Sequence, residues 1–322
     1  MLGPLALSMA GMICLAPAAA KLLAGVITPV YRAIGQDPAM FGSFLAIDMG
    51  GYQMAVSLAD NELAGRFSGI LVSACFGCTI TFTIPTGMGI LPEQDRQDFA
   101  WGTMYGLIAM PVGLFFGALL CGIGALAAVT LCAPLALLSV LLALAVIKWP
   151  RQAERAFRVL AAALRVIATL GLTLGAFQYI SGVTLIDSVT SLDEAMRTVS
   201  AICIMLLGSL PLAELLQRLL RKPLSSLGTR LGVGADGLMG VLIFYLNVTP
   251  GLASLHGMNC RGRRLCAAFA VCGASCLTAH LAFTLECEPQ LALPLILTKL
   301  IGGLLGAVLA YLCTANQKRP QA

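Results

Sequence analysis

FAWGTMYGLIAMPVGLFFGALLCGIGALAAVTLCAPLALLSVLLALAVI, from Phe99 to Ile147, is a run of 49 residues without an aspartate, glutamate, lysine, arginine or histidine. As helix it would reach about 73 Å at ~1.5 Å per residue, more than twice the thickness of a hydrocarbon core near ~30 Å. It is therefore read as two membrane spans, with the turn offered by the region of Gly122, Gly124 and Pro134. Working outward, further apolar segments lie at 2–30, 38–59, 67–91, 166–186, 198–216, 237–256, 265–285 and 291–312, ten in all. The connections between them are short, which leaves little chain for a soluble domain.

Composition agrees with that reading. Hydrophobic residues make up 59% of the chain and the mean hydropathy is +0.91, above the roughly 45–50% apolar content of soluble domains. The expected class is an all-α polytopic membrane protein, one integral domain over 1–322. The formal charge of +5 comes from the connections, so it speaks of orientation in a membrane and not of nucleic acid. Twelve cysteines are scattered mostly through apolar segments. Cys75-Phe-Gly-Cys78 has CxxC spacing but no second ligand pair, so it is read as packing, and no metal or other cofactor is implied. The start Met1-Leu2-Gly3-Pro4 enters an apolar segment at once, without a basic leader region, and is read as a span and not a cleaved signal.

Basic residues collect at Lys148, Arg151, Arg155 and Arg158, at Arg218, Arg221, Lys222 and Arg230, at Arg261, Arg263 and Arg264, and at Lys318 with Arg319. These are expected on the cytoplasmic side. Asp187, Asp193 and Glu194, and Glu286 with Glu288, are expected outside. All basic clusters share a side only if 237–256 enters the membrane and returns, and Asn247-Val248-Thr249-Pro250-Gly251 supplies a helix break for such a hairpin. A kinked ordinary span is the alternative.

A faint internal repeat follows. Thr83-Ile84-Pro85-Thr86-Gly87 lies within 67–91, and Arg96 follows Pro85 by 11 residues, as Arg261 follows Pro250. Asp48 precedes Pro85 by 37 residues and Glu214 precedes Pro250 by 36. Two halves are expected, about 1–147 and 158–314, joined by a cytoplasmic linker at about 148–157, each with one broken or re-entrant segment. Re-entrant segments would make the halves parallel, spanning ones inverted, and the basic clusters favour the parallel arrangement. Interrupted helices in duplicated halves point to a binding site near the midplane.

Asp48 is the leading site candidate, because a carboxylate deep in an apolar segment costs roughly 2.5–3.5 kcal/mol to insert and usually faces a partner or a water-filled path. Met49-Gly50-Gly51 follows it, and Gly50 and Gly51 would let backbone carbonyls turn toward a ligand. Tyr52, Thr81, Thr83, Asn247 and Thr249 offer polar contacts, Pro85 and Pro250 mark the walls, and His280 lies inside a span where it could carry protons or simply pack. Asp48 has structural alternatives: pairing with Lys299 or Arg165, or capping a helix that begins at Met49. Glu214 reads as a solvated or salt-bridged residue, and the alternating Thr79, Thr81 and Thr83 line a path or bond back to their own backbone.

At these residues the chain resembles the ethanolamine utilisation permease family. The resemblance rests on Ala16-Pro17, Thr28-Pro29-Val30-Tyr31, Asp37-Pro38-Ala39-Met40-Phe41 and Asp48-Met49-Gly50-Gly51. It continues through Thr83-Ile84-Pro85, Gly89-Ile90-Leu91-Pro92, Lys222-Pro223-Leu224, Arg261-Gly262, His280-Leu281 and Lys299-Leu300-Ile301-Gly302-Gly303. It implies a bacterial inner-membrane permease that admits ethanolamine for catabolism; members of the family usually carry a further span ahead of the point where Met1 falls, and this chain is expected to lack it. Departures from the family pattern are Ala279-His280 for Asp-His and Asn247-Val248 for Asn-Asn. Ethanolamine, a primary amine, is mostly an ammonium ion at neutral pH, as lysine is, so a site needs a carboxylate and one or two oxygen acceptors. Expected partners are ethanolamine or a related small amine and the lipid bilayer, with a homo-oligomer left open. Enzyme classes are disfavoured, since the two histidines, His256 and His280, form no catalytic pair or zinc motif. A membrane anchor or sensor, or a carrier of a different small amine, stays as the alternative.

Overall fold

The computed structural model describes residues 2–44 and 51–315. The long uncharged run folds as two helices, Glu93–Leu120 and Ala125–Lys148. Gly122 turns the chain between them at φ 84°, a left-handed conformation that favours glycine, while Pro134 lies inside the second helix. Among the described residues seven helices are long and apolar enough to cross a membrane: Ala6–Ala33, Glu62–Ile90, Glu93–Leu120, Ala125–Lys148, Pro150–Ser181, Cys260–Cys287 and Pro289–Thr314. With the 39-residue helix Leu192–Arg230 they make an all-α polytopic membrane protein.

Two short-armed hairpins interrupt this series. In the second, Gly237–Leu246 leads to an extended Asn247 (φ −153°, ψ 129°) and the chain returns as Val248–Ser254. Ten residues of helix span about 15 Å, half the hydrocarbon thickness. The returning arm lies against the first, since a Cβ on Gly251 would meet the Phe244 ring at 2.6 Å. Its two ends also meet: the Asn259 amide donates to the Gly232 carbonyl at 3.5 Å, and a Cβ on Gly262 would lie 2.4 Å from the Val233 oxygen. The segment 237–256 therefore leaves from and returns to one end of the bundle.

The first hairpin is in a place the sequence did not mark. Its arms are Ala39–Phe44 and Tyr52–Leu58, packed so that a Cβ on Gly42 would lie 2.4 Å from the Ala55 nitrogen. The Asp37 carboxylate closes the base, accepting from the backbone N–H of Ala39 at 2.9 Å and of Asn61 at 3.1 Å. Arg32 pairs beside it with Asp60 at 2.5 Å, and that hydrogen-bonded guanidinium holds the Asp60 carboxyl below its ordinary value. So 38–59 is no simple span. Conversely, 67–91 is not broken at Pro85. Helix Glu62–Ile90 runs through with wider π-helical turns at Ser68–Gly77 and Thr79–Thr83. The Ile84 N–H reaches the Thr79 carbonyl, five residues back, and Pro85 follows at the start of the α-helical end without interrupting the helix.

Each hairpin is followed by a long helix capped by an asparagine: Asn61 accepts from Leu63 and Ala64 at the start of Glu62–Ile90, and Asn259 from Gly262 at the start of Cys260–Cys287. These two helices run antiparallel. Arg66 near the start of one pairs with Glu288 just past the end of the other at 3.1 Å, Arg263 near the start of the second pairs with Asp95 just past the end of the first at 2.9 Å, and Cys75 meets Cys272 between them with sulfurs 3.4 Å apart. The parallel arrangement expected from the basic clusters is thus replaced by an inverted one. Three long helices, Ala125–Lys148, Pro150–Ser181 and Leu192–Arg230, separate Glu93–Leu120 from the second hairpin. An odd number brings the chain back at the opposite end.

Glycine seams close the bundle. On Glu93–Leu120, a Cβ at Gly102, Gly106, Gly113 or Gly117 would fall within 2.6 Å of Arg264 O, Ala268 O, Gly302 Cα or Thr298 Oγ1. Such close approach is how helices pack in lipid, where burial of apolar surface gives little drive. A second contact pairs Gly11 with Gly171, whose added Cβ would stand 2.1 Å from the Gly11 oxygen. Replacing Gly113 by Leu is expected to cost about 1–3 kcal/mol through overpacking, measured as a lower thermal midpoint in detergent. Gly89→Ala, with nothing within 4 Å, should leave the midpoint unchanged or raise it. The inverted arrangement predicts that single cysteines introduced at Asn61 and Asn259 in a cysteine-free background label from opposite faces of the membrane. Labelling from one face would refute it.

Candidate functional site

The outgoing arm of the first hairpin, as far as Phe44, and the tip of the second reach the level where the two antiparallel helices cross. Phe44, at the end of the first outgoing arm, stacks edge-on against Phe76 with ring centroids 5.4 Å apart, one residue from the Cys75–Cys272 contact. The second tip is bonded to a break in Cys260–Cys287, where Ser275 takes φ 55°, a conformation that costs an L residue on the order of 1 kcal/mol or more. The break offers three bonds in return. Ser275 N–H donates to the Phe244 carbonyl at 2.8 Å, the Val248 N–H donates to the Ser275 hydroxyl at 3.1 Å, and the Thr278 hydroxyl donates to the Leu246 carbonyl. The arm Val248–Ser254 also packs against Ile84–Ile90, so the two proline-bearing segments singled out in the sequence do come together.

The crossing is held by polar groups buried in the bundle. The Thr79 hydroxyl donates to the Val271 carbonyl at 2.7 Å, across the helices and not back along its own. Lys299, 1% exposed, donates to the Ala74 carbonyl at 2.9 Å, an acceptor within the π-helical stretch. His280 is 2% exposed and its Nδ1 has no hydrogen-bond partner.

The site candidates fare differently. Asp48 and Gly50 lie outside the described residues. Gly51 is buried at the start of the returning arm of the first hairpin. Tyr52 is committed elsewhere, its hydroxyl donating to Glu288 at 2.6 Å and its ring edge-on to Phe283 at 5.7 Å, so it fastens the hairpin instead of facing the second tip. Thr81 and Thr83 are buried, Thr81 donating to the Gly77 carbonyl at 2.9 Å. Pro85 is buried and Pro250 exposed. Asn247 caps the returning arm, accepting from the Thr249 N–H at 3.0 Å. Glu214 makes an exposed pair with Arg218, and Arg165 bonds back to the Ala161 carbonyl on an exposed face, so neither takes part.

Two charge clusters at opposite ends were not foreseen. At one, Glu288 gathers Arg66, Tyr52 and Gln290. At the other, Arg263 bridges Asp95 at 2.9 Å and Asp98 at 2.8 Å, Arg264 bonds Asp98 at 2.7 Å, and His256 Nδ1 meets Asp95 at 2.7 Å. Arg263 also donates to the Leu255 and Met258 carbonyls at 3.2 and 2.9 Å. In each cluster the returning arm of one hairpin is tied to an acid that follows the long helix of the other unit. The spacing carried a signal: Pro92 follows Asn61 by 31 residues and Pro289 follows Asn259 by 30, with Arg66 and Arg264 each five past their asparagine.

The sequence matches the family described as "Ethanolamine utilisation protein, EutH" over residues 1–313. It is 34% identical over 323 residues to "Probable ethanolamine permease EutH" of Listeria monocytogenes, covering 100% of this chain and 87% of that protein. It is 35% identical to "Uncharacterized protein YxeR" of Bacillus subtilis, covering 99% and 87%, and 32% identical to the Salmonella typhimurium "Probable ethanolamine permease EutH", covering 94% and 80%. No solved structure matches the chain.

Arg263→Ala would leave Asp95 and Asp98, both under a tenth exposed, without their shared cation. The expected loss is about 3–5 kcal/mol, read as a lower unfolding midpoint of the purified protein. Arg66→Ala, whose side chain is 34% exposed, should cost less.

Proposed function

The chain belongs to the EutH family of ethanolamine utilisation proteins, and from that membership we propose that it is a permease for ethanolamine uptake across the cytoplasmic membrane of a bacterium. The observation that carries this reading is the match along nearly the whole chain, with relatives whose names give them as probable ethanolamine permeases. The fold supports it, because two inverted hairpin-and-helix units that meet at one level, through Phe44 of the first and Asn247 of the second, are suited to binding a small solute between the faces. The role is transport and not catalysis.

The substrate is an ammonium ion at neutral pH, and its charge sets the requirement. Asp48 falls in the link between the two arms of the first hairpin, the sequence position that Asn247 holds in the second, and is proposed as the ammonium acceptor. Gly50 and Gly51 serve as the adjoining backbone acceptors. Thr81, Thr83, Asn247 and Thr249 supply polar contacts, with Pro85 and Pro250 in the walls and His280 as the buried group open to a further bond. Tyr52 is assigned a gating role with Glu288 in place of a ligand role. Release of the Tyr52–Glu288 contact would free the first hairpin at one face, and release of the His256–Asp95–Arg263 contacts would free the second at the other.

Labelled ethanolamine uptake tests the reading. At acidic pH and micromolar substrate, where the diffusible neutral amine is scarcest, cells carrying the protein should accumulate ethanolamine faster than cells lacking it. Equal rates would refute transport. Asp48→Asn should lower initial uptake roughly tenfold or more, the counterpart of a charge-assisted hydrogen bond worth ~1.5–3 kcal/mol, with unchanged insertion into the membrane. Retained uptake would return Asp48 to a structural role.

A further inference from the structure

At the end of the bundle that carries the Arg263 cluster, a cleft of ≈ 330 Å³ opens between the start of Glu93–Leu120 and the turn from Ala125–Lys148 into Pro150–Ser181. Glu93, Arg96, Gln97, Trp101, Ile147 and Arg151 line it. It lies apart from the hairpin tips and takes no part in the proposed passage.

Its chemistry is that of an anion site with an apolar wall. Arg96 spends its Nε on the Leu91 carbonyl at 2.9 Å, and among the described residues it has no carboxylate partner. Arg151 has a loose one, Glu93 at 3.9 Å, with both side chains close to nine-tenths exposed. Two guanidinium groups therefore face one glutamate. Two helices begin at the cleft, and neither Pro92 nor Trp149, at their N-caps, gives a side-chain cap, so the positive ends of their dipoles face the same place, offset in part by Glu93 in the first turn. Arginine forks suit phosphate oxygens. Trp101 and Ile147 give the same cleft an apolar side next to the lipid-facing helices, as a headgroup site at the membrane interface requires.

We propose that this cleft binds a phosphate group through Arg96 and Arg151. The phosphate belongs either to an acidic phospholipid of the adjoining leaflet or to soluble inorganic phosphate, and the two sources are separated by experiment. Thermal unfolding of the purified full chain in uncharged detergent is followed with added phosphatidylglycerol, phosphatidylcholine or inorganic phosphate. Binding to the native state raises the midpoint. A rise with phosphatidylglycerol alone assigns the lipid, a rise with inorganic phosphate alone assigns the soluble ion, and a rise with both assigns the phosphate itself. Arg96→Gln with Arg151→Gln should abolish the rise and weaken binding roughly tenfold or more for the lost charge-assisted bonds, while Arg197→Gln, far along the chain in another helix, should not. No rise with either phosphate, an equal rise with phosphatidylcholine, or a rise that survives the double substitution would overturn the proposal. Both arginines are at least partly exposed, so the double variant is expected to fold, which its unfolding midpoint without added phosphate checks, and the readout does not depend on transport.

Discussion

Inside a bilayer a backbone group released at a turn or a helix break finds no water, so it has to find protein. That constraint shapes the centre of this molecule. The second hairpin tip and the break at Ser275 each free backbone donors and acceptors, and they satisfy one another through Phe244, Leu246, Val248, Ser275 and Thr278. At the crossing itself, Thr79 covers the Val271 carbonyl and the Lys299 ammonium covers that of Ala74. Irregular backbone persists at this depth because two inverted units meet and share their loose ends.

The ends of the bundle follow a different logic. Charges near an interface are inexpensive compared with charges at the midplane, and the chain puts its described acid–arginine clusters just beyond its long helices. Asp95, Asp98 and Glu288 are nevertheless buried, and burial makes removal of one partner costly. Each cluster joins residues more than 160 positions apart. They hold the two units in register in a way that apolar contact between helices in lipid does not.

The sequence made the class plain because an uncharged run of 49 residues has one economical explanation. It also made the second hairpin legible, through Asn247, Pro250 and the charge on either side. The first hairpin was hidden because its arms are apolar and free of proline within Ala39–Phe44 and Tyr52–Leu58, and Asp48-Met49-Gly50-Gly51 between them reads as a ligand site within a span as readily as the link of a hairpin. Pro85 misled in the opposite direction, since a π-helical approach absorbs a proline that would break an ordinary α-helix. The described basic clusters do share one end of the bundle, as expected, but the relation between the units was misjudged because the first re-entrant segment is 38–59 and not 67–91. The glycine seam was present as Gly102-x-x-x-Gly106, Gly113-x-x-x-Gly117 and Gly302-x-x-x-Gly306 and went unread. Asn247, Thr81, Thr83 and Pro85 are named as candidates by sequence alone, but Lys299 as a backbone donor and Glu288 as the holder of Tyr52 required three dimensions.

The seam joining Glu93–Leu120, Cys260–Gly273 and Ala292–Ala315 is closed main chain against main chain at Gly102, Gly106 and Gly113. Such a joint has no rotamers to spend, so it cannot yield by degrees as a leucine-lined interface does. These three helices must travel as a single stiff block, carrying the base of the second hairpin with them. Any compliance in the working cycle falls on the hairpins and on the softer borders of that block.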